Sequence, residues 1–367
     1  MIKRAVLVLL VLSVALSPAA AQSKAWDILR DIVLVPGVSS HEGPVADFIQ
    51  GRLPAWLGAE RDAMANVRFT LGSGRPHILF VAHTDELGWT IDKITPDGHI
   101  KVKSGGGILP QTIEARPVLI HTAKGDVAGI VAPRPGYDER PAQGEVKEEK
   151  PFTAEAFDIF LGVSTEAEAR ALGVAEGDTI TAKKVFTDFR PGLMATRAVD
   201  DRAGCAALLD AALRLRLGTV ENKTVTFAWD VQEETGLQGA TELAKTLKPD
   251  YVFAIDTFVS TDSPLESKRF GFLPVGNGAV IRAIDSSNIT PKAQIAQVLA
   301  IARGRGIPIQ VGNSRGGNDG SVFLSGGTVD IPLSWPGSYA HSLIEKIDRR
   351  DLEALSDLIL AIVADWK

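Results

Sequence analysis

Val225-Thr226-Phe227-Ala228-Trp229-Asp230-Val231-Gln232-Glu233-Glu234-Thr235-Gly236-Leu237 is the stretch that decides the fold. It opens on a near-continuous apolar run, Val225 to Trp229, which suits a strand covered on both faces. It closes on a glycine that leads into a helical pattern from Leu237 to Leu247, and an adjacent pair of carboxylates lies between. The same texture recurs at Ile78–Ala82, Tyr251–Ile255 and Val329–Leu333, where apolar runs end in polar residues. Helical patterns separate the runs at Val45–Leu53, Ala203–Leu217, Pro291–Arg303 and Arg350–Ile362. In the second of these, Leu208, Ala212 and Leu215 share one face. Strands alternating with helices predict an α/β fold with a mostly parallel central sheet flanked by helices.

From about Ile94 to Pro191 the pattern changes to short alternating runs such as Pro117–His121 and Asp126–Val131. Turns at Pro96-Asp97-Gly98 and Lys124-Gly125-Asp126 separate them, which predicts an inserted, small β-rich domain. Arg134 to Pro151 is rich in Pro, Gly and charge and reads as a loop. At the start of the chain, Lys3 and Arg4 precede an apolar run from Ala5 to Leu16 and then Ala19-Ala20-Ala21, the pattern of a cleaved secretory signal. That run falls well short of the ~20 residues a membrane-spanning helix needs. The expected division is therefore a signal peptide at 1–21, the first part of the α/β domain at 22–93, the inserted domain at 94–191, and the second part at 192–367. The protein is expected to be secreted or periplasmic, and its mature length exceeds what one core usually supports.

The formal charge is −6, and no cluster of lysine and arginine stands out. Nucleic acid and anionic membrane are therefore poor partners, and small molecules or peptides are better ones. The single cysteine, Cys205, has no intramolecular disulfide partner; its alanine and leucine neighbours predict a buried, inert thiol.

Polar residues gather where the predicted strands end, the edge at which open α/β sheets bind ligands. His83-Thr84-Asp85-Glu86 follows the first run, Glu233-Glu234 the second and Asp256 the third; His341 comes after the last, and Asp200-Asp201 precedes a helix. Each alone has an ordinary explanation, such as a helix N-cap for Asp200-Asp201. Together they would place several carboxylates and imidazoles at one sheet edge with no basic partner. Divalent cations account for that grouping. His83, Asp200, Glu234, Asp256 and His341 would give two ions one bridging carboxylate and two private ligands each, with a position open for water. Oxygen-rich sites with two imidazoles accept zinc, cobalt or manganese, and zinc is expected. Asp85, two residues beyond His83 on the same side of an extended chain, is placed to orient the imidazole. Alternation along an extended backbone would point Glu233 and Glu234 apart.

The chain resembles the glutamyl, deblocking and tetrahedral aminopeptidase family of two-metal exopeptidases over nearly its whole mature length. The resemblance is carried by Pro36–Glu42, Ala82–Gly88, Val199–Cys205, Val231–Leu237 and Tyr339–Ser342, and by Asp158–Gly162 and Leu172–Asp178 in the inserted domain. It implies that Asp200 bridges the metals, that His83 and Asp256 complete one site and Glu234 and His341 the other, and that Glu233 is the general base. It also implies a cis peptide bond at Asp200-Asp201, peptide substrates, and a homo-oligomer ranging from a dimer to a dodecamer. Two positions depart from the family pattern: Ser338 precedes Tyr339 where the family has arginine, and the glycine-rich loop reads Gly317-Asn318-Asp319-Gly320. Both concern the side-chain pocket and leave the ligand positions filled.

The expected activity is hydrolysis of N-terminal residues from peptides by metal-activated water. The same chemistry serves an N-acyl amino-acid deacylase or a carboxypeptidase, but those need a cation for the substrate carboxylate, and the candidates are Arg202, Arg282 and Arg315. A metal-dead binding or shell protein would have lost a ligand, and none of the five is missing.

Overall fold

Phe69, Phe227, Phe80 and Phe253 sit at one level of four adjacent strands, each the direct register partner of the next. Successive rings lie 5.0, 5.3 and 5.1 Å apart, and Trp366 closes the row edge-on to Phe253 at 5.1 Å. Such a row pins register, because a slip of one residue would move every ring to the opposite face. The structure is a computed structural model that describes residues 24–109, 112–133, 157–260, 262 and 272–367. The expected signal peptide at 1–21 and the expected loop at Arg134–Pro151 lie outside the described residues.

In chain order, helices α1 (Ala25–Ile32) and α2 (Gly43–Gln50) precede strands β1 (Glu60–Arg61), β2 (Val67–Gly72) and β3 (His77–His83). Next come β4 (Gly88–Ile94), β5 (Ile100–Gly105), β6 (Pro117–Thr122), β7 (Gly125–Val131), β8 (Asp158–Phe160), α3 (Glu166–Ala171) and β9 (Thr179–Ala182). Strands β10 (Thr187–Arg190) and β11 (Leu193–Thr196) lead into α4 (Val199–Arg214), β12 (Thr224–Asp230), α5 (Gln238–Thr246) and β13 (Tyr251–Val259). The chain ends with β14 (Ala279–Ile284), α6 (Lys292–Arg305), β15 (Ile309–Asn313), β16 (Val329–Asp330), β17 (Leu333–Gly337), β18 (Glu345–Asp348) and α7 (Arg349–Asp365).

Among the described residues the main sheet runs β1-β2-β12-β3-β13-β17-β14-β15, with β16 also paired to β13. Its centre, β12-β3-β13-β17, is parallel. Alternation along β3 sends Ile78, Phe80 and Ala82 into a core with α1, α4 and α7, while Leu79 and Val81 face a second core with Ala240 and Leu243 of α5. Burial on both faces is what a continuous apolar run implies. The expected run Val329–Leu333 is two strands, because Pro332 has no N–H for the ladder and interrupts it. In α4, Asp200 and Asp201 are non-helical, so the regular helix starts at Arg202. It ends short of the expected Leu217 because Thr219 Oγ1 takes up both the N–H and the carbonyl of Arg216 in a local turn.

β4 to β9 close into a six-stranded barrel, β4-β5-β8-β7-β6-β9, around Trp89, Ile91, Ile100, Val118, Ile120, Ile159 and Ile180. A third, antiparallel sheet, β10-β11-β18, covers the return from the barrel. The fold is thus the expected α/β type with a mostly parallel sheet and a small β-rich domain.

Glu86 stands at the junction of these parts. Its fully buried carboxylate accepts from Gly37 N (3.2 Å) and Lys184 Nζ (2.9 Å), and faces Arg197 and Arg202 at 3.7 Å each. Burial alone would raise its pKa, but the three cations hold it at about 2. A depressed carboxyl pKa contributes stability above the unfolded value, about 4.5, that is lost as pH falls through the folded value. The contribution is on the order of 3 kcal/mol. Glu86→Gln is expected to lower the urea midpoint at pH 7 by at least that equivalent, and the gap from the parent should narrow steadily below pH ~5. A gap that does not change with pH would refute the electrostatic account.

Candidate metal centre and active site

His83 is the last residue of β3, Asp256 lies in β13, and Glu233 and Glu234 follow β12, so all four stand at the carboxyl edge of the parallel strands. Asp200 occupies the non-helical start of α4, and His341 the loop between β17 and β18. The structure brings these side chains together. Ligand atoms of His83, Asp200 and Asp256 lie within 4.8 Å of one another, as do those of Asp200, Glu234 and His341. The two sets share Asp200. Its Oδ1 is 3.5 Å from His83 Nε2, and its Oδ2 is 3.8 Å from His341 Nε2, which is 3.6 Å from Glu234 Oε2. The peptide bond Asp200-Asp201 is cis.

Asp85, fully buried, faces His83 Nδ1 at 3.3 Å. Its carboxylate also accepts Ser39 Oγ–H at 2.6 Å and the amides of Glu233 and Glu234 at 3.1 and 3.2 Å. Those amides are available because the chain leaves the strand geometry at Gln232, whose φ is +58°. Glu233 and Glu234 therefore sit in a turn, and alternation does not separate them: ligand atoms of His83, Glu233 and Glu234 also lie within 4.8 Å of one another. The adjacent carboxylates converge, and the amides behind them are gathered by Asp85. Cys205 is buried as expected, its thiol donating to the carbonyl of His83 at 3.0 Å, and burial pushes its pKa well up.

One expectation needs correction, since the acidic edge does have a basic partner. The buried Arg282 places Nη2 3.1 Å from Asp256 Oδ2. Its other donors reach Ser334 Oγ at 2.8 Å, the Gly317 carbonyl at 2.7 Å and the Thr257 carbonyl. One guanidinium does not balance the cluster. Burial, joined by the charges of Asp319, Asp256 and Asp85, holds Glu233 well above the ordinary carboxyl range despite His83. Burial and the charge of Asp200 do the same to Glu234. Burial would push His83 down, but the carboxylates of Asp200, Asp85 and Glu233 hold its imidazole well above 6.5. Carboxyl pKa values pushed up beside an imidazole pKa also pushed up mark a site short of positive charge. Asp200 Oδ1 is buried and makes no hydrogen bond, an orphan acceptor that a cation would satisfy. The donor set of imidazoles and carboxylates fits divalent metal.

These residues line a cleft of about 300 Å³ whose other walls are Thr257, Val259, Ser314, Gly316, Gly317 and Ala340. Of the three arginines considered from sequence, Arg282 lines it. Arg202 instead donates to the carbonyls of Ile32 and Val35 and faces Glu86. The loop after β5 also reaches the site without any signal in the sequence. There the Gly107 carbonyl is 3.1 Å from His341 Nδ1, and Leu109 N donates to the His341 carbonyl at 2.9 Å. Glu345 likewise reaches the site, accepting the amide of His341 at 3.2 Å. Neither lies in the stretches that carry the resemblance, and the fold brings them near.

Comparison with known proteins follows the same line. The profile of the M42 glutamyl aminopeptidase family matches residues 65–358. The lysyl aminopeptidase of Pyrococcus furiosus is 29% identical over 350 residues, covering 93% of this chain and 97% of that protein. The glutamyl aminopeptidase of Lactococcus lactis is 27% identical over 327 residues, covering 86% and 89%. Among solved structures, the TET1 peptidase of Pyrococcus horikoshii, which can assemble into a tetrahedron or a large octahedral shell, is 33% identical with a TM-score of 0.82, covering 93% of this chain and 99% of that one. With a site of this composition and a match over most of its length, the chain belongs to the M42 glutamyl aminopeptidase family.

Proposed function

We propose that the protein is an aminopeptidase that releases N-terminal residues from peptides with the help of two divalent ions, zinc by preference. The observation that carries this reading is the pair of three-residue groups sharing Asp200, with Glu233 beside them in one cleft. Asp200 would be common to both ions, with His83 and Asp256 completing one set and Glu234 and His341 the other. When bound, the ions supply Lewis acidity, which brings the pKa of water toward ~7 and polarises the scissile carbonyl. Glu233, not needed in either set, takes the proton of the attacking water on its carboxylate and delivers it to the leaving amine nitrogen. Its resting tendency to hold a proton falls as positive charge enters the cluster. Asp85 holds the turn that aims Glu233 and restrains the His83 ring.

The deacylase and carboxypeptidase readings are weaker because a substrate carboxylate would need a cation from the cleft wall. Among the described lining residues Arg282 is the one arginine or lysine, and Asp256, Ser334 and two carbonyls already engage its donors. A metal-dead binding protein is disfavoured by a full set of ligands and base. We also propose a homo-oligomeric assembly, on the likeness to a shell-forming peptidase.

Glu233→Gln is expected to take up metal as the parent does and to lose turnover of an aminoacyl anilide by roughly 10²–10⁴-fold; near-normal turnover would remove Glu233 from its role. The parent should cleave the free-amine anilide and leave its N-acetyl twin intact, whereas equal rates on both would favour a deacylase. Asp85→Asn puts an amide where two N–H groups need acceptors, and kcat is expected to fall about 10–100-fold with metal content kept. Unchanged kcat would limit Asp85 to the fold. Light scattering at micromolar concentration should give a mass above that of one chain, and a monomer there would end the assembly proposal.

A further inference from the structure

Glu345 belongs to no ligand set, yet it sits where two of the ligand-bearing segments meet. It opens β18 and pairs with Thr196, the last residue of β11, so its side chain starts beside the backbone that continues through Arg197 and Ala198 to Asp200. Its carboxylate is buried. One oxygen, Oε2, accepts the amides of Val199 at 2.6 Å and Asp200 at 3.1 Å; the other, Oε1, accepts the amide of His341 at 3.2 Å. These bonds join segments some 140 residues apart in sequence, one delivering Asp200 and the other His341.

Both segments need an anchor. Ala198 has φ +59°, and Tyr339 and His341 have φ +68° and +62°, a left-handed region that non-glycine residues enter at a cost of about 1 kcal/mol or more each. The loop carrying His341 is closed at its base by paired bonds between Ser338 and Lys346, so Glu345 projects into a loop it also terminates. His341 is moreover the open member of its group: its side chain is 41% exposed, against 5% for Asp200 and 6% for Glu234. Packing does little to fix an exposed imidazole, which leaves its backbone and the Gly107 carbonyl to do so.

We propose that Glu345 is a positioning residue: its two carboxylate oxygens tie the Asp200 segment to the His341 segment and so set the spacing of the Asp200, Glu234 and His341 group. The inference rests on the metal-site reading given above. The carboxylate is required because donors arrive at both oxygens. A glutamine keeps most of these bonds with its carbonyl oxygen toward the Val199 and Asp200 amides, so its NH2 turns to the His341 amide and breaks that anchor.

The test is a Co2+ titration of chelator-stripped full-length protein, followed by calorimetry, with the thermal midpoint of each metal-free protein measured alongside. In the parent two binding steps are expected. Glu345→Gln should weaken one step at least 10-fold and leave the other within about 2-fold, whatever fall in the metal-free midpoint the lost anchor brings. In a His341→Ala background, where that anchor no longer serves a ligand, adding Glu345→Gln should cost less than about 2-fold more. Two parent-like steps in Glu345→Gln would overturn the proposal, as would equal weakening of both steps in line with a lowered midpoint. Should Glu345→Gln not fold, Glu345→Asp, which keeps both oxygens but withdraws them by one methylene, is judged by the same criteria; failure of both to fold assigns Glu345 to the fold and also overturns it. A parent that takes up no Co2+ sinks the metal reading itself, a different result from a parent with two steps and a variant that matches it.

Discussion

The register of the central strands is the constraint on which the remainder of the molecule depends. Phe69, Phe227, Phe80 and Phe253 occupy one level, and the three parallel strands among those that carry them deliver polar residues a fixed distance further on. Three residues beyond Phe80 is His83, three beyond Phe253 is Asp256, and three beyond Phe227 is Asp230, after which the chain turns to present Glu233 and Glu234. The aromatic row, which buries a large apolar area at the centre of the sheet, thus also sets the height of the ligands above it. A shift of register by two residues would keep the apolar faces and still separate His83 from Asp256 by about 6–7 Å, which no side-chain rotation could recover.

Charge is partitioned as sharply as hydrophobicity. At the carboxyl edge, Asp200, Glu233, Glu234 and Asp256 share one guanidinium, while three residues beyond His83 the single carboxylate of Glu86 is faced by Lys184, Arg197 and Arg202. The short segment from His83 to Glu86 therefore crosses from an environment deficient in positive charge to one with an excess of it. Asp85 lies between them: its carboxylate accepts the amides of Glu233 and Glu234 and faces the His83 imidazole at 3.3 Å, and against its burial that imidazole does most to hold it below the ordinary carboxyl range.

Much of the fold was legible because doubly covered strands leave an unmistakable trace in uninterrupted apolar runs, and Ile78–Ala82, Val225–Trp229 and Tyr251–Ile255 fall within strands. What was not legible depended on single residues whose effect is local. Pro332 divides a run that looks continuous, Thr219 ends a helix before its glycine, and the positive φ of Gln232 cancels the alternation expected of Glu233 and Glu234. The six clustered residues, His83, Asp200, Glu233, Glu234, Asp256 and His341, could be named from chain position because each follows an apolar run or precedes a helical pattern. Arg282, named only as a generic cation, pairs with Asp256 and also donates to Ser334 and two backbone carbonyls, and Glu345 is bound to backbone amides remote in sequence. Partners of this kind are read from tertiary contact, since their hydrogen bonds go to groups distant in sequence.

The two halves of the cluster are also built differently. His83 and Asp256 rise from central strands, His83 buried and Asp256 largely so, and the sheet itself holds them. His341 stands on a loop and depends on contacts from outside it, one of them from the β-barrel's Gly107. That approach is possible only because of the preceding residue. Gly106 has φ +107°, and a Cβ there would stand 2.2 Å from Leu87 Cδ2 and 3.3 Å from Glu234 Cβ. A side chain at position 106 would push the barrel loop away from the sheet edge, withdrawing the Gly107 carbonyl from His341 and crowding Glu234 in the same movement. The inserted domain is for this reason part of the site's construction, and it acts on the Glu234 and His341 side of the cluster while the sheet fixes the other.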